Sequence, residues 1–254
     1  MLLPFHQAHD VDALLLRWQK LARRLRLPLL TLTNSAGMPV WALESPAARE
    51  GEPAIYLSAG VHGDEAAPPW ALLLWAEQNA AKWSRGSFLI LPCLNPVGLQ
   101  LNTRVDHRGH DINRRFHLTR DPLSGPWRRW LAARRLRAGI CLHEDYDAQG
   151  CYLYELGPQS QSLGPALLQS CSGVIQADPR RRIDTSLARN GMIRRKKLPT
   201  HLPGMPEAVE LHRIGCPVTL TFETPSEFSL DDRVACQMAF IEAATQRIAT
   251  SRSA

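Results

Sequence analysis

The stretch Ala54-Ile-Tyr-Leu-Ser-Ala-Gly-Val-His-Gly-Asp-Glu65 reads as a buried strand that runs out into a polar turn. From Ala54 to Ala59 the residues are apolar or small, without the alternation of a half-exposed strand, so both faces of this strand are covered. A helix follows from near Ala66, with Trp70 to Trp75 as its apolar run. A covered strand feeding a helix through a tight turn is the unit from which parallel sheets are built. In such sheets the chemistry gathers at the carboxyl ends of the strands, where His62 and Glu65 stand.

The same pattern repeats outward. Phe88-Leu-Ile-Leu-Pro-Cys93-Leu94 is a second buried strand closed by Asn95-Pro96, and Gly139–Leu142 a third that ends at His143-Glu144-Asp145. Pro217–Phe222 is a late strand ending at Glu223. Upstream, residues 10–26 form an amphipathic helix, and the strands 29–33 and 40–44 flank a hairpin-like turn at Asn34-Ser-Ala-Gly37. Residues 97–127 hold few periodic signals and are expected to form a long functional loop. Helices are expected over 128–137, 162–170, 206–214 and 229–249, the last capped by Ser229. Further strands are expected over 150–156 and 174–177. The fold class is α/β: a single domain over residues 1–254, with the helix and hairpin of residues 1–50 packed on a mixed, mostly parallel sheet covered by helices on both faces.

Composition agrees. A chain of 254 residues with 44% hydrophobic and 21% charged residues excludes a disordered chain, a collagen-like repeat and a minimal disulfide scaffold. The six cysteines are scattered among apolar neighbours with no CxxC pair, so they are expected to be buried reduced thiols in a reducing compartment. No signal-peptide pattern opens the chain and no apolar run approaches the roughly 20 residues that span a bilayer. The expectation is a cytoplasmic protein without membrane contact. The net charge of +6 collects in runs such as Arg180-Arg-Arg182 and Arg194-Arg-Lys-Lys197. These runs are not interleaved with aromatic residues, which argues against a nucleic-acid partner.

His62-x-x-Glu65 after one strand, with His143 after another, offers three nitrogen and oxygen ligands to one point, the number a catalytic zinc needs while a position stays open for water. HxxE alone is weak, since a turn followed by a helix also favours acids at this place. The wider order of motifs is more specific. His62-Gly-Asp-Glu65, Asn95-Pro-Val-Gly98, Arg104, Asp111-Ile-Asn113-Arg114, His143 and Thr221-Phe-Glu223 occur in that sequence over residues 54–225. In these elements the chain resembles the zinc carboxypeptidase (funnelin) family and its succinylglutamate desuccinylase and aspartoacylase relatives.

The resemblance implies one zinc per chain held by His62, Glu65 and His143, with Glu223 as the general base toward a zinc-activated water. It implies Arg104 as the group that polarises the scissile carbonyl, Asn113 and Arg114 as the grip on a substrate carboxylate, and Asp111 as the acid that orients a ligand histidine. The implied function is a zinc metallopeptidase, a carboxypeptidase or amidase, cutting an amide next to a free carboxylate in a small peptide. The compact length resembles the murein peptide amidases, which makes a peptidoglycan-derived peptide one substrate of interest. The alternative is a deacylase of N-acyl amino acids. His107, His110 and His117 are expected at the surface, and Arg115 in solvent. Glu144 and Asp145 are expected to make the site more acidic. The substrate-capping tyrosine of the secreted carboxypeptidases has no counterpart over 195–208; His201, Tyr146 or Tyr152 stand as replacements, while Tyr154 is expected to pack. The two basic runs could line the mouth of the site or be solvated. Specificity residues are expected between His143 and Glu223. The oligomeric state is left open.

Overall fold

The computed structural model of the protein describes residues 7–158, 162–195, 197 and 203–250. Its strands are β1 (Leu30–Ser35), β2 (Met38–Glu44), β3 (Ala54–Ser58), β4 (Phe88–Leu91), β5 (Leu136–Asp145), β6 (Tyr152–Leu156), β7 (Arg182–Ile183), β8 (Ser186–Leu187), β9 (Met192–Arg195) and β10 (Thr219–Pro225). Its helices are α1 (Val11–Leu25), α2 (Pro46–Arg49), α3 (Ala67–Gln78), α4 (Ala80–Arg85), α5 (Pro96–Leu101), α6 (Ser124–Ala132), α7 (Gly164–Cys171), α8 (Glu207–Arg213) and α9 (Leu230–Thr250).

Eight strands form one sheet in the order β1-β2-β4-β3-β5-β10-β6-β9. The centre, β4-β3-β5-β10, is parallel, and antiparallel pairs join it to β2 and β6. This is the expected mixed sheet. Strand alternation divides its side chains between two cores. Ile55, Leu57, Ile140, Leu142, Leu220 and Phe222 pack with α1, α3, α7 and α9 on the rear face. Tyr56, Leu89, Leu91 and Cys141 pack with α6 and α8 on the front. Toward the carboxyl ends of β5 and β10 and the amino end of β6 the front face becomes polar, and there the cleft opens.

Local boundaries follow from the residues. Asp10 accepts from the Ala13 amide and caps α1, and the Ser229 hydroxyl accepts from the Asp232 amide at the start of α9. All six cysteines are free and buried. No helix among the described residues is long and apolar enough to cross a membrane.

Three expectations are corrected. Residues 97–127 are not one long loop: α5 opens the stretch, Ile112–Arg114 makes a 3-10 turn, and α6 begins at Ser124. The basic segment 128–137 is not one helix, because α6 ends at Ala132 and Leu136 already pairs with Ala54 in the sheet. Residues 174–177 form no strand; Ala177 makes one isolated bridge to Cys151, and Val174 is exposed.

Candidate active site

The corner of the site is built where β3 ends. The turn carrying His62 and Glu65 touches the first turn of α5 backbone to backbone. A Cβ on Gly63 would stand 1.9 Å from the Gly98 carbonyl carbon, so neither glycine has room for a side chain. Asn95 fixes the same corner. Its Oδ1 accepts from the Gly98 amide at 3.0 Å, and its Nδ2 donates to the Val105 carbonyl at 3.1 Å. That second bond holds the loop from which Arg104 projects.

His62, Glu65 and His143, all buried, each present one ligand atom within 4.8 Å of the others. The His62 Nδ1 is bonded to Glu65 Oε1, and His143 Nδ1 lies 3.0 Å from Glu65 Oε2. The predicted trio is therefore one cluster. Burial alone would depress the His62 imidazole, but the Glu65 and Asp111 carboxylates together outweigh it and hold the pKa up at about 9. Burial would raise Glu65, and the two imidazoles outweigh it and hold the pKa at about 2. Glu65 Oε2 is buried without a hydrogen bond. A carboxylate whose two oxygens each face one imidazole nitrogen, Oε1 that of His62 and Oε2 that of His143, fits a metal ion, since these are the ligand types such an ion takes.

Asp111 binds this cluster to the neighbouring loop. Its Oδ1 lies 3.3 Å from His62 Nε2, and its Oδ2 accepts from Arg104 Nε and Nη2 at 3.2 and 3.1 Å. Burial would raise its carboxyl; His62 and Arg104 outweigh that and hold it well below the usual range. Arg104 Nη1 lies 3.2 Å from His62 Nδ1. Asn113 faces the cleft, but its Oδ1 already accepts from the Glu207 amide at 2.9 Å and steadies α8. Its NH2 group is the part left to face a ligand. Arg114 lines the cleft and makes no ion pair among the described residues.

Register decides where Glu223 stands. Along β10 it pairs with His143 of β5 on one side and Tyr152 of β6 on the other. The three side chains form one row, about one strand spacing of 4.8 Å apart. Burial pushes the Glu223 carboxyl up to about 8, and the Glu65 carboxylate adds to the shift against the pull of His143. A carboxyl with a raised pKa beside a candidate metal cluster is poised for proton transfer. The row also fixes its neighbours. Gln237 of α9 donates to the His143 carbonyl at 2.7 Å and to Thr224 Oγ1 at 3.0 Å from the rear.

Alternation corrects one expectation and qualifies another. Glu144 faces the rear: its Oε1 accepts from Arg233 at 2.8 Å and its Oε2 from the Ala67 amide at 3.0 Å. Burial raises its carboxyl to about 7 against the pull of Arg233. It joins β5 to α3 and α9, borders the cleft, and its carboxyl and that of Glu65 act on each other. Asp145 does face the cleft and accepts from the Tyr152 hydroxyl at 3.0 Å. Tyr154 is on the same face as Tyr152 and lines the cleft; its hydroxyl donates to Asp184 at 2.9 Å.

The far wall is formed by Tyr154, Asp184, Thr185 and Arg195, and the cleft between the walls holds about 530 Å³. The Arg195 guanidinium lies over the Tyr154 ring at 5.7 Å, so the second basic run does reach the cleft. Tyr146 is exposed and outside the lining; His201 lies outside the described residues. His107 and His117 are exposed and His110 half-buried. Arg115 is not free in solvent, since its Nε donates to Asp121 at 2.8 Å. Asp184 and Gln237 are residues to which sequence reasoning gave no role, while Asn95 stood there only as part of a motif and Tyr154 only as a packing residue.

Comparison with solved structures identifies the architecture. A candidate metallopeptidase from Shewanella denitrificans OS217 superposes with a TM-score of 0.84 at 24% identity, over 96% of this chain and 92% of its own. The metallo-carboxypeptidase from Burkholderia cenocepacia gives 0.66 at 17% identity, over 92% of this chain and 68% of its own. The fold is that of the metallo-carboxypeptidases. The murein-tripeptide amidase MpaA from Escherichia coli O157 shares it with a TM-score of 0.60 at 17% identity, over 89% of this chain and 93% of its own. By sequence, residues 51–139 match the succinylglutamate desuccinylase/aspartoacylase catalytic domain. No curated protein matches the chain by sequence.

Proposed function

We propose that the protein is a zinc-dependent hydrolase that cleaves an amide bond beside a free carboxylate in a small peptide. The observation that carries this reading is the convergence of His62, Glu65 and His143 with Glu223 in the next strand of the same row. His62, Glu65 and His143 would hold the metal, which when bound supplies Lewis-acid polarisation and a water acidic enough to attack near neutral pH.

The chain's own residues do the rest. Glu223 takes the proton of the attacking water at its carboxylate and returns it to the leaving amine. Arg104, fixed by Asp111, presents Nη1 toward the cluster, where it stabilises negative charge growing on the carbonyl oxygen. Arg114 and the Asn113 NH2 group bind the substrate carboxylate from the same side. Asp111 fixes the His62 ring from its far nitrogen. The cleft offers Tyr154, Asp184 and Arg195 to the remainder of the substrate. The near full-length correspondence with the amidase MpaA supports a cell-wall-derived peptide as substrate, and six buried thiols suit a cytoplasmic location.

A second reading, deacylation of N-acyl amino acids, is favoured by the sequence match over residues 51–139. One assay separates the two. Zinc-loaded protein is offered muropeptides and short peptides beside N-acetyl and N-succinyl amino acids, each as free acid and as C-terminal amide. Turnover of peptide acids with loss on amidation supports the peptidase. Turnover of acyl amino acids alone supports the deacylase. Inactivity of zinc-loaded protein toward all of them contradicts both.

A further inference from the structure

A second set of converging ligands lies on the rear of the sheet. Cys151 precedes β6, Cys171 ends α7, and Cys236 lies inside α9; their sulfurs all fall within 4.8 Å of one another. All three residues are fully buried and none is in a disulfide. Cys93, Cys141 and Cys216 belong to no such group among the described residues.

We infer that Cys151, Cys171 and Cys236 form a structural site for a soft, thiophilic metal ion. A buried cysteine packed as a small hydrophobe needs no sulfur neighbours. Here three chain segments far apart in sequence each bring one sulfur to one point inside a shell that includes Leu167, Ile175 and Phe240. The Cys151 and Cys171 thiols touch the Ile175 and Leu167 carbonyls, each at 3.4 Å.

The donor set selects the ion. No histidine or carboxylate joins the three sulfurs among the described residues, so the side-chain donor set is sulfur alone, which suits thiolate-binding ions. Binding makes metal–sulfur bonds and releases the proton of each ligating thiol, with no change of oxidation state. The place in the fold gives the ion a structural task. Cys236 is followed by Gln237, which holds the His143 carbonyl, and preceded one turn earlier by Arg233, which pairs with Glu144. An ion tying α9 to α7 and to the edge of β6 would fix the helix that braces β5 from behind. The site is independent of the reaction proposed for the front cleft.

Because the three cysteines are fully buried, the test supplies the ion during folding. The full chain is refolded with cadmium, desalted, and measured for metal content and for the ultraviolet thiolate-to-cadmium charge-transfer band. The expected result is that band in the wild type, in His62→Ala and in Cys216→Ala, and its loss in Cys171→Ser and Cys236→Ser. Wild-type content of about two ions per chain should fall to about one in His62→Ala. Should the serine variants fail to fold, the wild type and His62→Ala decide alone. A wild type without the band, or a band that persists in folded Cys171→Ser and Cys236→Ser, overturns the inference and leaves three packed thiols.

Discussion

The two walls of the cleft are built on different terms. The wall that carries His62, Glu65, Arg104, Asp111 and Asn113 is cross-braced at every residue. Gly63 sits against Gly98, Asn95 spans α5 and the Arg104 loop, and Asp111 binds Arg104 in two places. The far wall stands on the paired strands β6 and β9, but its side chains are held by few links: Tyr154 to Asp184, and Arg195 to Ser186 at 2.8 Å and over the Tyr154 ring. A braced wall suits groups that must hold a fixed geometry through a reaction. A lightly pinned wall suits contact with the variable part of a substrate. Change on the first wall should therefore remove the chemistry, and change on the second should alter which molecules enter.

The largest effect is expected at the Gly63–Gly98 contact. Gly63→Ala forces a Cβ to within 1.9 Å of backbone that cannot yield, so the variant should lose its active-site metal and melt far below the wild type; a normal melting temperature and metal content would show that the brace is dispensable. Next, Glu223→Gln should lower kcat by about 10²–10⁴-fold, the usual worth of a general base, while metal content stays unchanged. A fall in metal content together with kcat would make Glu223 a ligand instead.

The Glu223 carboxyl also sets a pH dependence. Its pKa of about 8 without metal means that the base is protonated, and inactive, at lower pH. A bound dication draws the pKa down, so kcat/KM should rise with pH along a limb that lies below pH 8. A profile with no such limb below pH 8 would remove Glu223 from the proton transfer.

Asp111→Asn should weaken metal binding by about 10–100-fold, the usual cost of losing an acid behind a ligand histidine, read by competition with a chelator. Smallest is Tyr154→Phe on the far wall. It should change KM between substrates by about threefold, within the roughly 1 kcal/mol of one exposed hydrogen bond, and leave kcat unchanged. A large fall in kcat there would break the division between the walls.

The braced wall was also the legible one. Its contacts lie within a few residues of each motif: the Asn95 cap, the Asp111 turn and the strand-end His62 are short-range and leave fixed spacings. The far wall joins Tyr154, Asp184 and Arg195 through a two-stranded hairpin, β7–β8, too short to show any period. Alternation along β5 was a signal left unused, and along β6 it was taken as a sign of packing. Tyr154 shares a face with Tyr152, and Glu144 cannot share one with His143. Helix α5 was missed because six residues bearing Pro96 and Gly98 cannot display a 3.6-residue pattern. The basic stretch after Trp127 hides a helix end because Trp127, Trp130 and Leu131 supply the burial, while the arginines carry no period of their own.

The central claim is that His62, Glu65 and His143 hold a catalytic zinc beside Glu223. The most direct measurement is zinc content and peptide hydrolysis for the wild type, His62→Ala, His143→Ala and Glu223→Gln, prepared side by side. The account predicts about one zinc fewer per chain and no hydrolysis in each histidine variant, with full zinc and no hydrolysis in Glu223→Gln. Unchanged zinc in both histidine variants, or hydrolysis that survives in Glu223→Gln, would contradict it.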